Sequence, residues 1–210
     1  MTNGFLLIDK ESGITSSRVV QIIKKKFNFK KVGHLGTLDP MAKGLLILAV
    51  NRATKFSSLL LQSKKSYQAE VTLGQQTDTD DAEGSVILNH EVLCCEQEVK
   101  AKLLSFAGES LQFAPAYSAL KHKGKPMYKY ARDGIKVNKE ARKIKIDKID
   151  NISSNLPKIS FNITCSKGTY IRSIARDLGN QLGCGGHLSG LIRTSQQNFS
   201  IDDANQIDIV

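Results

Sequence analysis

The segment Gly33-His34-Leu35-Gly36-Thr37-Leu38-Asp39-Pro40-Met41-Ala42-Lys43-Gly44-Leu45 constrains the fold most, because it sets three glycines and a proline within thirteen residues. A stretch of this kind is neither helix nor strand. It implies a fixed, non-repetitive backbone held between flanking apolar strands. Asp39 stands directly before Pro40, a position biased to extended geometry that projects its carboxylate off the loop. On composition alone the segment also fits a structural turn in which Asp39 bonds nearby amides. No lysine follows in phosphate-loop spacing, so a nucleotide cradle is not expected.

Around this loop the pattern alternates between strands and helices. Gly4 to Ile8 reads as a short buried strand closed by the turn Asp9-Lys10-Glu11-Ser12-Gly13. Thr15 or Ser16 caps a helix with Val19, Val20, Ile23 and Phe27 inward and Lys24, Lys25 and Lys26 outward. Leu45 to Val50 is a second buried strand, and residues 51–62 read as a helix with Phe56, Leu59 and Leu60 inward. From Lys65 the period becomes two, with Tyr67, Ala69, Val71 and Leu73 on one face. Residues 74–84 form an acidic, solvated loop without calcium-loop spacing, since Asn89 stands where a bidentate glutamate is required. Further strands are expected at 85–88, around Ile144 and Ile146, from Ile159 to Cys165, and at 191–199. Helices are expected at 96–106 and 169–182. Ser200-Ile201-Asp202-Asp203-Ala204 looks like a helix N-terminus, either a short closing helix or the start of something lost beyond Val210. The result is one mixed α/β domain.

Composition excludes several function classes. At 210 residues and 40% hydrophobic, the chain can bury a core, and it has no long apolar run of membrane-span length. No basic leader precedes a long apolar segment, so a cytoplasmic chain without membrane contact is expected. Cys94, Cys95, Cys165 and Cys184 lack zinc spacing and read as reduced structural thiols, while His90 and His122 read as isolated surface residues. The net charge of +10 is uneven: residues 1–65 carry +9, residues 66–120 carry −7 and residues 121–210 carry +8. Basic blocks at both ends suit a polyanionic partner; a generally lysine-rich surface accounts for the charge equally well. Ten Lys or Arg lie between Lys121 and Lys145, with Tyr128 and Tyr130 among them.

The loop Gly33-His34-Leu35-Gly36-Thr37-Leu38-Asp39-Pro40 closely resembles the catalytic motif of the TruB family of pseudouridine synthases. The similarity is collinear over most of the chain. It takes in Gly4 to Lys10 with Gly13, Thr15 and Ser16, then Lys65-Ser66-Tyr67 and Leu73-Gly74 through Asp81. It continues through Pro115 to Lys121, Tyr130-Ala131-Arg132, Cys165 to Ser173, and Gly183 to Leu188 with Leu191 and Arg193. The resemblance implies a pseudouridine synthase fold, a mixed, mostly antiparallel sheet with a central catalytic cleft flanked by helices and loops. It implies isomerisation of uridine to pseudouridine in the T-stem-loop of tRNA, at the position the family numbers 55. It further implies one catalytic domain over 1–210 with an RNA-binding flap at about 121–145, and no sign of the C-terminal RNA-binding domain that family members usually add.

The same resemblance assigns roles. Asp39 is the nucleophile, attacking either C6 of the base or C1′ of the sugar. Arg172 is the cation that keeps it ionised against desolvation; without the motif it would read as a surface arginine. Tyr67 stacks on the target base and shares in proton transfer from C5, although its alternation equally permits a core aromatic. Tyr170 and Leu191 line the pocket, Leu191 fitting a packing role just as well. His34 fills the space of the flipped nucleotide, the alternative being a loop hydrogen bond, and Lys10 is a candidate RNA contact. No cofactor, metal or obligate protein partner is implied, and a monomer is expected. Two other readings remain open: a non-catalytic RNA-binding chaperone of the same fold, and a catalytic subunit that needs guide RNA and partner proteins.

Overall fold

In this computed structural model residues 2–135, 137 and 140–207 are described. The elements in chain order are β1 (Gly4–Lys10), α1 (Ser16–Lys26), β2 (Val32–His34), β3 (Lys43–Val50) and a 3-10 turn (Asn51–Phe56) leading into α2 (Ser57–Leu61). There follow β4 (Lys65–Leu73), β5 (Gln75–Thr77), β6 (Val86–Asn89), α3 (Glu96–Leu104), β7 (Gly108–Gln112), β8 (Lys121–His122), β9 (Lys125–Pro126) and α4 (Met127–Arg132). The remainder is β10 (Arg142–Asn155), β11 (Lys158–Cys165), α5 (Ile171–Gln181), β12 (Gly186–Gln196), β13 (Phe199–Ser200), a 3-10 turn (Ile201–Asp203) and β14 (Asn205–Gln206). They group into two compact units. The first comprises Met1–Gln68, Ile163–Lys167 and Gly190–Val210; the second comprises Ala69–Asn162 and Gly168–Ser189.

The first unit is organised by β3, whose seven residues from Gly44 to Val50 are all buried. One edge of β3 pairs antiparallel with the whole of β1, from Gly4↔Val50 to Lys10↔Gly44. On the other edge β2 pairs antiparallel down to His34↔Leu48, and β12 pairs parallel at Ile192↔Lys43 and Arg193↔Gly44. The residues between are reached by neither strand. The glycine-rich loop leaves the sheet there, and Leu35 N–H donates to the Ile47 carbonyl at 2.8 Å. Leu45, Ile47 and Ala49 face one side of β3 and pack with Leu35, Ala53 and Leu60, joined by Leu7, Phe199, Ile201 and Ala204.

In the second unit the strand order is β4-β11-β10-β7, with β10 and β7 antiparallel from Arg142↔Gln112 to Ile146↔Gly108. Helix α5 carries Ile171, Ile174, Ala175 and Leu178 inward. A Cβ on Gly179 would lie 2.1 Å from the Gly185–Gly186 backbone, so the helix approaches that turn at a distance only glycine allows. The mixed α/β class and the mixed, mostly antiparallel sheet match the expectation.

Three local expectations are corrected. Phe27, Phe56 and Leu59, inward by their spacing, are 54%, 57% and 68% exposed. The 51–62 stretch is a 3-10 turn followed by a five-residue helix, which changes the angular step and leaves only Ala53 and Leu60 inside. Ser200 caps a single 3-10 turn, accepting from Asp202 N–H, and the chain then adds β14 parallel to β1 instead of continuing a helix. The acidic loop is only partly solvated: Asp80 and Asp81 are 6% and 3% exposed, for reasons that lie in α5. The 121–145 segment contains the β8–β9 hairpin and α4; its residues 136, 138 and 139 lie outside the described residues.

Gly44 has φ +95, and a Cβ there would stand 2.4 Å from the Arg193 carbonyl across the β3–β12 pair. Gly44→Ala is expected to lower stability by about 2 kcal/mol or more, from the left-handed backbone alone plus the forced strand separation. A lower urea midpoint with unchanged m-value would show it.

Candidate active site

The glycine-rich loop is tied down on both sides of Asp39. Ser16, in the first turn of α1, both accepts from Leu38 N–H and donates to the Leu38 carbonyl, each at 2.9 Å. On the other side Pro40 O accepts from Gly13 N–H at 2.9 Å and from Lys10 Nζ at 3.2 Å. Ser12 Oγ donates to Met41 O at 2.9 Å, and Ala42 N–H to Asp39 O at 3.1 Å. The turn after β1 and the start of α1 thus fix the backbone that carries the half-buried carboxylate.

Lys10 has a task inside the fold that differs from the expected RNA contact. It is 1% exposed, and its ammonium donates to Glu11 O at 2.9 Å, Ile14 O at 2.8 Å and Pro40 O. A buried ammonium needs such partners, and here they draw the β1 turn onto the Asp39 loop.

A second buried cation supports the loop from below, and the sequence reading gave it no role. Arg193 is 1% exposed. Its Nε donates to Leu45 O at 2.7 Å and Nη2 to Gly36 O at 3.0 Å. Leu45 O is the β3 carbonyl that lies between the reaches of β2 and β12, so the guanidinium takes the place of a strand there. Arg193 also bonds the Tyr67 hydroxyl and interacts electrostatically with Asp39. The available signal was an arginine in register with Leu191 on a strand whose inner face is buried, since such a charge must have partners.

Tyr67, on β4, is 8% exposed. Burial raises its phenol to about 12 against the opposing pull of Arg193, so it is protonated at neutral pH. His34 closes β2 half-buried, and its buried Nδ1 has no hydrogen-bond partner. Burial first, and Arg193 second, lower its pKa, leaving a neutral imidazole. The loop-stabilising bond considered from the sequence is not made at Nδ1. Leu191 is 9% exposed on β12. Asp39, Tyr67, His34, Lys10 and Leu191 therefore fall in the first unit together with Arg193.

Arg172 and Tyr170 belong to the second unit. Arg172 is 5% exposed, not a surface residue. It donates to Thr79 O at 3.1 Å and Tyr117 O at 3.0 Å, and its Nη1 is 3.4 Å from Asp81 Oδ2. One turn on, Arg176 bonds Asp80 at 2.9 Å and Phe113 O at 3.2 Å. These two guanidinium groups bury the aspartates, and Asp81 also accepts from Thr79 Oγ1 and Glu83 N–H. Tyr170 caps α5, its backbone held reciprocally by the Gln112 amide at 2.8 and 3.1 Å. The sequence gives no sign of the roles of Asp81 and Gln112, because each acts on a partner distant along the chain. No group of three or more potential metal ligands occurs among the described residues.

An ionisable carboxylate on a pinned loop, a buried phenol and a buried guanidinium together suit attack by a carboxylate nucleophile in a partly dry site. Residues 24–171 match the family model for the N-terminal domain of TruB family pseudouridylate synthase. The chain is 46% identical over 206 residues to "tRNA pseudouridine synthase B" of Alkaliphilus oremlandii, covering 98% of this chain and 69% of the relative. It has the same identity to the protein of that name from Burkholderia pseudomallei, of which it covers 68%. Among solved structures, a chain of a Cbf5-Nop10-Gar1 complex aligns with a TM-score of 0.75 at 30% identity over 97% of this chain and 52% of its own length. One from an H/ACA ribonucleoprotein bound to a substrate RNA containing 2′-deoxyuridine aligns at 0.72 and 28%, over 97% and 50%. This chain thus spans about half the length of those two. Fold and site define a pseudouridine synthase, an isomerase. The chain belongs to the TruB family.

Lys65 offers a check on this buried charge. It is 8% exposed, and burial, then Arg193, lower its pKa to about 8. Between that value and its unfolded value near 10.5 the unfolded chain binds more protons, so this group makes stability rise with pH across the window. Lys65→Met is expected to flatten that rise in urea midpoints measured from pH 7.5 to 10. Arg193→Lys keeps the charge but not the planar fork; it is expected to reduce turnover roughly 100-fold, by analogy with loss of one positioned donor, in single-turnover kinetics.

Proposed function

We propose that this enzyme converts a uridine in the T-stem-loop of tRNA to pseudouridine, with Asp39 as nucleophile and without a cofactor. The observation that carries the reading is the Asp39 loop itself, its neighbours Leu38 and Pro40 both bonded to the β1–α1 turn. The tRNA substrate is supported by the names of the 46% identical relatives. The excess of basic residues suits an RNA partner. No described helix is long and apolar enough to cross a membrane; work on cytoplasmic tRNA as a monomer is part of the proposal.

In the reaction the C1′–N1 bond breaks, the base turns, C1′ bonds to C5, the C5 proton leaves and N1 takes up a proton. The base must first leave its stack. Asp39 either adds to C6 and holds the base, or displaces the base at C1′ and holds the sugar; in both cases its bond breaks again before pseudouridine leaves. Tyr67 stacks on the ring; being protonated, it serves the C5 proton as a relay, accepting one proton as it gives up another. His34, neutral and with Nδ1 unpartnered, takes the place of the extruded nucleotide. Leu191 lines the pocket, and Tyr170 and Arg172 keep the lining and charge-pairing roles that the family resemblance implies.

The test is tritium release from a T-arm RNA labelled at uridine C5. Asp39→Asn is expected to abolish release while RNA affinity stays within several-fold. Tyr67→Phe and Arg172→Lys should each slow turnover roughly 100-fold or more. Release by Asp39→Asn would remove it as nucleophile; none by the pure wild-type chain would favour the chaperone or partner-dependent readings.

A further inference from the structure

The end of α1 farthest from the Asp39 loop is built in a way the site above does not use. The helix stops in a Schellman arrangement, with Asn28 N–H donating to Lys25 O at 3.3 Å and Phe29 N–H to Lys24 O at 3.1 Å. Asn28 takes the left-handed conformation at φ +49, as this motif requires. That turn brings Phe29 back beside Phe27, and the two rings stack with centroids 5.7 Å apart and 26° between planes. Phe27 is 54% exposed. Lys24, Lys25, Lys26, Lys30 and Lys31 flank the pair along the chain, all exposed. None of the five makes an ion pair among the described residues, and no acidic residue occurs between Glu11 and Asp39.

A single exposed phenylalanine needs no explanation. A stacked pair fixed by backbone hydrogen bonds and flanked in the chain by exposed cations without ion pairs has the chemistry of a platform for an unpaired base and the phosphates beside it. A duplex would offer no free base face to Phe27. The helix also sets the distance: Ser16 at its start bonds Leu38, and eleven residues at ~1.5 Å each put the platform about 16 Å along the axis.

We propose that Phe27, backed by Phe29 and flanked by Lys24, Lys25, Lys26, Lys30 and Lys31, is a second RNA-docking surface. It holds an unpaired nucleotide of the same tRNA whose uridine reaches Asp39. This rests on the reading of the chain as a tRNA-acting enzyme.

The experiment measures anisotropy of fluorescent full-length tRNA across a salt series with wild type, Phe27→Ala, and a variant carrying Lys→Gln at all five lysines. The lysine variant should bind at least about tenfold more weakly near 0.1 M salt, with the slope of log affinity against log salt reduced by about 2 to 4. Phe27→Ala should weaken binding about fivefold or more with the slope unchanged. In the tritium assay both should act on KM rather than kcat. Wild-type affinity and slope in both variants would overturn the proposal even if wild type releases tritium. Patch-dependent tRNA binding without release by wild type would leave the proposal standing and remove the function. Loss of binding to phosphatidylserine vesicles with tRNA affinity intact would assign the patch to a membrane surface and overturn it.

Discussion

The Arg193 guanidinium is the contact on which the first unit depends. A buried cation costs several kcal/mol unless its donors are used, and here they bridge places the chain separates. Leu45 O is on β3, Gly36 O is in the loop before Asp39, and Tyr67 is on β4. Removing the group would leave an edge carbonyl of β3 without a partner and the loop without its lower support. The same charge lies close enough to Asp39 and Tyr67 for each to oppose the desolvation of Arg193. Structure and reactivity therefore share one residue.

Buried charge is managed differently in the two units. In the first, Lys10 and Arg193 spend donors on backbone carbonyls, which hold loop and turn. Their positive field favours an ionised carboxylate. In the second unit, Arg172 and Arg176, four residues apart on α5, meet Asp81 and Asp80 directly. That pairing explains why a loop so acidic in sequence folds inward, and it orients Arg172 without relying on solvent. The acidic middle of the chain is in part the counter-charge of its own helix.

The expected strands were legible because alternation is a local property: Tyr67 to Leu73 and Ile159 to Cys165 form β4 and β11 much as their periodicity demands. The N-cap at Thr15 was legible too, since capping needs only a hydroxyl and the amide of Arg18. Phe27 and Leu59 were misplaced because apolar spacing assumes an α-helical step that does not persist. α1 ends in a left-handed turn at Asn28, and residues 51–56 wind as a 3-10 turn.

By itself the sequence determined the family, the order of strands and helices, and the identity of a carboxylate on a loop too rich in glycine and proline to be regular. Those features rest on local conformational preference and on residue types that chemistry restricts. Only the tertiary structure decided which charges are buried and what they touch. It buried Lys10 as a clamp between turn and loop, gave Arg193 the carbonyl that β2 and β12 leave open, and drew Asp80 and Asp81 under α5. Each of those outcomes joins atoms far apart in the chain, and a buried ion's partners are set by which backbone groups the fold leaves unpaired.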